Sequence, residues 1–404
     1  MRLPASMVAL LSVCLFGVGC GDDNAGDGGA AGGPGSDAGQ ESGGQDAADD
    51  ATVDAPGDAV VVSDAPGEDA AGDAGLYTSK LEQMMSDALA EAPAGIAGMS
   101  LIVHDAEDHR LIEVTVGDFE TDRRVPVASA SKLVTGLVLM RLVEEGTLQM
   151  ADTPGAVLGW TGTTAADATL DHLGAFVSGL APDALCIYRP LITLQECVAE
   201  IGATAPLAAP GEQFDYGGTH QAVAAAMAEL VSGESWATLF DQNLKTPLGL
   251  VDPDLRYVTL PKQGTGGDNP LVAGGLLATA DEYMPILAVL FHKGEIAGQP
   301  WISSTLMERF GENHYTDVLI GSTPPATVAF DFRYSWSSWL NCEGPVASCP
   351  VVSSPGAFGF SPWVDWEHGY YAVLAMESDD AGAGSPFSVP LMEALRPEIE
   401  GMLP

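Results

Sequence analysis

Ser129-Ala130-Ser131-Lys132 places a hydroxyl and an amine three residues apart. In a helix, that spacing sets both side chains on one face of a single turn. The first backbone N–H groups of a helix have no intrahelical acceptor and carry a partial positive charge. An amine buried at that end loses affinity for its proton, because desolvation and the positive helix end both disfavour the charged form. As a free base it takes the proton of the Ser129 hydroxyl, which then attacks a carbonyl carbon. The oxyanion that forms lies within reach of the helix N–H groups. The same tetrad also fits a helix cap followed by an exposed lysine, so the flanking sequence decides between them. Ser131 lies off the Lys132 face, and its removal is expected to be mild.

Residues 125–155 read VPVASASKLVTGLVLMRLVEEGTLQMADTPG. Small residues surround the serine, an apolar helix ends in Glu144-Glu145-Gly146, and a leucine and an Asp-Thr-Pro turn follow. TLDHLGAFVSGL (169–180), the stretch 210–250 that begins PGEQFDYGGTHQ, and NPLVAGGLLATADEY (269–283) come next in order. This succession resembles the serine β-lactamase and penicillin-binding-protein superfamily, in particular class C β-lactamases and family VIII carboxylesterases. The resemblance covers most of residues 125–371. It implies an α+β fold, with an antiparallel sheet flanked by helices and an inserted helical lobe at about 146–265. It also implies an acyl-enzyme mechanism with Ser129 as nucleophile and Lys132 as its activator.

By the same resemblance, Tyr216 in Tyr216-Gly217-Gly218 matches the tyrosine that relays protons with the lysine. The family usually has Asn where Gly218 stands. That Asn anchors the lysine and, in β-lactamases, contacts the substrate amide; His220 is a candidate to replace some of its hydrogen bonding. Ser354-Pro355-Gly356-Ala357 matches the strand that carries Lys-Thr-Gly or its variants. The resemblance gives the Ser129 and Ala357 backbone N–H groups the oxyanion hole, with Gly356 and Ser354 lining the pocket and Gly356 letting backbone approach substrate. Ser354 stands where the family has a charged or aromatic residue, so the pocket lacks the cation that recognises a substrate carboxylate. Both departures point away from penicillins and towards neutral esters. Trp336 or Trp339, in the alternating aromatic run 330–340, could edge the pocket.

These residues need elements to hold them. Tyr77–Glu91 has helical periodicity. Gly98–His104 and Arg110–Val116 read as a hairpin turning at Asp105–His109. Ser131–Glu145 reads as a helix stopped by Gly146. Gln221–Ser232 and Asp281–Lys293 are further helices. Arg333–Leu340, Phe360–Asp365 and Tyr370–Glu377 read as strands, and Ser388–Leu403 as a closing helix interrupted at Pro397. Strands at both ends with helices between them fit a sheet built from both termini.

The remaining sequence bears on location. Met1-Arg2 precedes an apolar run from Met7 to Phe16 and then Gly17-Val18-Gly19-Cys20. This is a secretory signal, too short for a stable span. Cys20 after Gly19 resembles a lipoprotein signal, in which that cysteine is acylated. Residues 21–75 hold fourteen acids and no Lys or Arg among Gly, Ala, Asp, Pro and Ser, a composition expected to stay disordered as a tether. The catalytic domain is expected over 76–404, where 42 acids and 14 bases leave a net charge of −28. That surface disfavours nucleic acid and anionic lipid. Membrane contact is therefore expected only through the anchor.

Of the six cysteines, Cys186 with Cys197 and Cys342 with Cys349 form two close pairs, expected as disulfides in an exported chain. No metal or cofactor is expected. The leading reading is a serine hydrolase of small-molecule esters or amides, closest to a carboxylesterase. A β-lactamase or D-alanyl-D-alanine carboxypeptidase is the alternative, and a non-catalytic binding or surface protein on this scaffold is the reading of another class.

Overall fold

The structure, a computed structural model, describes residues 68–403. The signal segment, Cys20 and the linker through residue 67 lie outside the described residues.

Apolar runs at both chain ends build one antiparallel sheet, with alternation of buried and exposed residues only along its edge strand Arg110–Gly117. Its strands are β1 (Gly98–Asp105), β2 (Arg110–Gly117), β3 (Arg333–Tyr334), β4 (Trp339–Leu340), β5 (Val351–Ser353), β6 (Ser361–Asp365) and β7 (Tyr370–Met376). Their order is β3-β4-β5-β6-β7-β1-β2. The two ends of the chain meet where β1 pairs β7, Met99 opposite Met376 and Asp105 opposite Tyr370. Met99, Leu101 and Val103 join the core under helix α1 (Glu68–Ala90), whereas Ile102, between them, joins the core on the opposite face. The sheet is buried on both faces because helices cover both.

Helix α2 (Ser131–Glu144) runs through the middle of that second core, and Ser131 through Met140 are all buried. A helix apolar on every side belongs inside, so its first turn is fixed by packing. Around it stand α3 (Leu194–Gly202), α4 (Thr219–Ser232) and α5 (Ala280–Phe291), the last lying against β6 and β7. Helix α6 (Gly384–Glu400) closes the chain beside α1. Between residues 154 and 245 the secondary structure is almost entirely helical, which is where the inserted lobe is expected. A small sheet of Val125–Pro126, Leu276–Ala278 and Arg256–Tyr257 leads the chain into α2.

Three expectations change. Helix α1 begins at Glu68, inside the stretch taken as linker; Ala70, Ala71 and Ala74 have high helix propensity without an apolar stripe to announce it. Arg333–Leu340 is a hairpin, not one strand: β3 pairs β4, and Ser337 takes a left-handed φ of 56° in the turn. Helix α6 starts at Gly384 and continues through Pro390 and Pro397. Each proline removes one backbone hydrogen bond, and burial of Val389, Met392, Leu395 and Ile399 carries the helix past both. Cys186–Cys197 and Cys342–Cys349 are joined as expected.

Candidate active site

The strand at Val125–Pro126 must turn sharply to enter α2. Ala128 makes that turn with a left-handed φ of 47°, a conformation strained for a residue with a Cβ. Ala128–Ala130 then form a 3₁₀ turn. The first bond of this turn runs from the Ala130 N–H to Val127 O at 3.1 Å, so the Ser129 N–H precedes it and stays open. Ser129 itself is half-buried and reachable.

Lys132 Nζ lies 3.1 Å from Ser129 Oγ and donates to the Ala273 carbonyl at 2.8 Å. Its side chain is buried, the residue being 5% exposed. Burial pulls its pKa down to about 8, opposed by the nearby Asp183 carboxylate. Three bonds stitch the segment bearing Ala273 to the helix. Leu276 N–H donates to Ser131 Oγ at 3.0 Å, Thr135 Oγ1 donates to Val272 O at 2.6 Å, and Tyr283 OH donates to Ala130 O at 2.7 Å. Ser131 is thus a buried tie rather than a spare side chain, which corrects the expectation that its loss is mild.

Tyr216 is held by its backbone, whose N–H donates to Ser322 O at 2.8 Å. Its ring packs on Trp339 at 5.1 Å, and Lys132 Nζ sits 4.7 Å from its centroid. Burial pushes the phenol up to about 12, against hydrogen bonds with the Ser129 and Trp339 side chains. Two neighbouring groups with pKa values pushed apart divide the work. The arrangement can use Lys132 as a base for the Ser129 hydroxyl and Tyr216 as a neutral proton donor. Of the two tryptophans, Trp339 borders the site and Trp336 turns inward, its Nε1 3.5 Å from Gly136 O.

The oxyanion hole needs a second N–H. Among the described residues no acceptor takes the Ala357 N–H. Ser354 Oγ donates to Ser129 O at 3.0 Å and is 2% exposed. The Gly356 N–H donates to Phe360 O at 2.8 Å, and a Cβ there would stand 2.1 Å from Val127 O. Ser354 and Gly356 therefore face the turn before the nucleophile rather than the substrate, which corrects their expected place in the pocket lining. They press the segment after β5 against that turn and hold it beside Ser129. Gly356→Ala is expected to destabilise the fold by about 1–3 kcal/mol, the range for overpacking a filled site. Urea denaturation checks it, and an unchanged midpoint would show that the contact relaxes freely.

Two more pocket residues are placed differently from expectation. His220 is fully buried and stacks on Phe176 at 5.0 Å. The Asp215 carbonyl can only accept, so Nε2 carries the proton and donates to it at 2.7 Å, leaving Nδ1 to accept from Ser178 OH at 2.7 Å. Burial pulls its pKa down to about 4, so it is a neutral core histidine and cannot replace the missing Asn. Gly218 is buried, and its N–H donates to Asp183 Oδ1 at 2.9 Å. A Cβ there would meet Ile187 Cδ1 at 2.8 Å and Asp183 Oδ1 at 3.4 Å. Ile187 and the carboxylate of Asp183 fill the space beside Gly218.

A cavity of about 250 Å³ is lined by Val177, Phe214, Val318, Phe332, Tyr334 and Trp339 among others, and Trp339 also packs on Tyr216. Ser129, Lys132 and Ala357 do not line it.

Residues 85–382 match the beta-lactamase family model. The chain belongs to the beta-lactamase family. This family member is 27% identical over 264 residues to penicillin-binding protein 4 of Amycolatopsis lactamdurans. That alignment covers 62% of the chain and 62% of the relative, so the chain spans less than two thirds of the relative's length. A protein of Bacteroides dorei DSM 17855 superposes with a TM-score of 0.67 at 22% identity, covering 80% of this chain and 98% of the other. EstCE1, described as a hydrolase with promiscuous acyltransferase activity, superposes with a TM-score of 0.62 at 17% identity, covering 80% and 99%. At such identities these likenesses establish the fold.

Within the beta-lactamase fold of this chain, Ser129, Lys132 and Tyr216 come together, and Ser354 and Gly356 bring the segment before Ala357 against the turn that carries Ser129. Asp183, the Ala273 carbonyl and the strained Ala128 were not legible as site residues. Asp183 carried a weak signal, since it stands three residues after Leu180, where the family-like run 169–180 ends. A backbone carbonyl and a positive φ on alanine leave no trace in residue type.

Proposed function

We propose that this beta-lactamase family member is a serine hydrolase that works through an acyl-enzyme and prefers small carboxylic esters that carry no carboxylate. The observation that carries this reading is the buried Lys132 amine 3.1 Å from Ser129 Oγ, with its pKa lowered to about 8. Neutral Lys132 takes the hydroxyl proton as Ser129 Oγ attacks the carbonyl. The tetrahedral oxyanion rests on the Ser129 and Ala357 N–H groups. Its collapse expels the alcohol, which receives a proton from Tyr216 or protonated Lys132. Water then attacks the acyl-enzyme with the same groups as base and acid, and Ser129 is regenerated. A non-catalytic binding protein would have no use for a desolvated amine beside a serine hydroxyl.

The ester preference rests on what surrounds these groups. Motif two has Gly218, motif three has Ser354 with its hydroxyl turned inward, and neither offers a contact to a β-lactam side-chain amide or carboxylate. The description of EstCE1 as a hydrolase with promiscuous acyltransferase activity supports acyl transfer on this fold. Each missing charged hydrogen bond is worth about 1.5–3 kcal/mol, or roughly a tenfold to hundredfold loss in rate. On one preparation, kcat/KM for p-nitrophenyl butyrate is expected to exceed that for nitrocefin by at least about tenfold. A clear nitrocefin preference would favour the β-lactamase or D-alanyl-D-alanine carboxypeptidase reading instead.

The same reading places the enzyme outside the cytoplasm, tethered by acylated Cys20 and acting on small molecules, with neither nucleic acid nor cofactor required. Among the described residues no helix is long and apolar enough to cross a membrane.

A further inference from the structure

We propose that Asp183 and Tyr188 form a subsite on the rim of the Ser129 site for a cationic substrate group, making ammonium-bearing esters or amides the favoured substrates. The proposal rests on the serine-hydrolase reading and adds the charge of the substrate to it.

Three hydrogen bonds zip the segment bearing Asp183 to the motif-two segment. Thr219 N–H donates to Pro182 O at 3.0 Å, Ala184 N–H donates to Thr219 Oγ1 at 2.8 Å, and Gly218 N–H donates to Asp183 Oδ1 at 2.9 Å. Beyond it, the Cys186–Cys197 disulfide closes the next loop, and Asn269 Nδ2 donates to Cys186 O at 2.8 Å and Arg189 O at 3.0 Å. The carboxylate is therefore fixed, although it faces solvent. It is close enough to the catalytic groups to act electrostatically on both Lys132 and Tyr216.

Its partners leave its charge uncompensated. Among the described residues no Lys, Arg or His lies within 4.0 Å of it, whereas most other cations are engaged; Lys262, near Phe358, is bound to Glu377 at 2.8 Å. Tyr188 OH reaches Asp183 Oδ1 at 3.4 Å, and the residue is 42% exposed. A fixed carboxylate beside an accessible aromatic ring is the chemistry that holds an alkylammonium, by charge and by the ring's negative face. The same carboxylate repels a substrate carboxylate, in keeping with the missing cation at Ser354.

The test compares two p-nitrophenyl esters of equal shape, 4-(trimethylammonio)butyrate and 5,5-dimethylhexanoate. The permanent charge removes any ambiguity from titration. Wild-type enzyme should prefer the ammonium ester by about tenfold in kcat/KM, equivalent to about 1.4 kcal/mol. Asp183→Asn keeps an oxygen for the Gly218 N–H and should bring the ratio close to one. Because each ratio is taken on one preparation, lost active enzyme and any change at Lys132 cancel. Tyr188→Leu should lower the ratio and Tyr188→Phe should keep most of it. A wild-type ratio of one or less, or an unchanged ratio in Asp183→Asn, overturns the subsite. A second arm separates it from the function on which it rests. In Ser129→Ala protein, calorimetry should show 4-(trimethylammonio)butyramide binding more tightly than 5,5-dimethylhexanamide, and Asp183→Asn should erase the difference. Should neither ester be turned over, the hydrolase reading fails, while these affinities still decide the subsite: equal affinities overturn it.

Discussion

Ser129→Ala is expected to lower kcat for p-nitrophenyl butyrate by about four to six orders of magnitude, the scale seen when a catalytic serine is removed. In the proposed mechanism the hydroxyl oxygen forms the acyl-enzyme bond, and the neighbouring Ser131 offers no substitute, since its Oγ is buried and accepts the Leu276 N–H at 3.0 Å. Residual turnover would come from the Ser129 and Ala357 N–H groups, which do not depend on the side chain. The fold should persist, because Lys132 Nζ keeps its bond to Ala273 O at 2.8 Å. Circular dichroism and a thermal melt check the fold, and mass spectrometry after fluorophosphonate labelling checks the nucleophile. Wild-type protein should carry one adduct on the peptide containing Ser129, and the variant none. Undiminished turnover in the variant, or an adduct on another serine, would remove Ser129 from the mechanism.

The parts of the site legible in the sequence are those fixed by spacing along one element. Ser129 and Lys132 are three residues apart on a helix whose apolar pattern is strong, and a helix turn leaves them little choice but to meet. Strand β2 was legible from its alternation, and helices α2, α4 and α5 from apolar runs of a dozen or more residues, too long for a strand. Strand β5, which leads to the proposed second oxyanion donor, is only three residues long between Pro350 and Ser354-Pro355. So short a run has no period to detect. The alternating aromatics at 330–340 have the period of a strand, yet the chain doubles back at Ser337, and that turn puts Trp339 rather than Trp336 beside Tyr216. His220 and Ser354 were misplaced for a different reason. A family motif gives the position of a residue along the chain, but which way its polar atoms point depends on distant partners. Here those partners are Ser178 and the Asp215 carbonyl in one case and the Ser129 carbonyl in the other.

Lys132 carries the second large effect. Lys132→Met nearly preserves volume and removes the base, and it should lower kcat/KM for p-nitrophenyl butyrate by about two to four orders of magnitude. Lys132→Arg discriminates between a base and a mere positive charge. A guanidinium stays protonated throughout the accessible pH range, so it cannot take the Ser129 proton and should be nearly as inactive as Met. An Arg variant with substantial activity would leave Lys132 only an electrostatic role. The pH profile tests the same assignment without a mutation. In the proposed mechanism the active form carries neutral Lys132, whose pKa is lowered by burial to about 8. Below that value each unit of pH protonates the amine further, so kcat/KM should fall about tenfold per unit; above it the rate should level off. Tyr216, pushed up to about 12, remains protonated across this window and adds no second limb. The Asp183 carboxylate favours the charged amine, so Asp183→Asn should move the midpoint to lower pH, whereas Lys132→Met should abolish the inflection. A wild-type profile flat from pH 6 to 9 would mean that Lys132 is not the group whose deprotonation limits attack by Ser129.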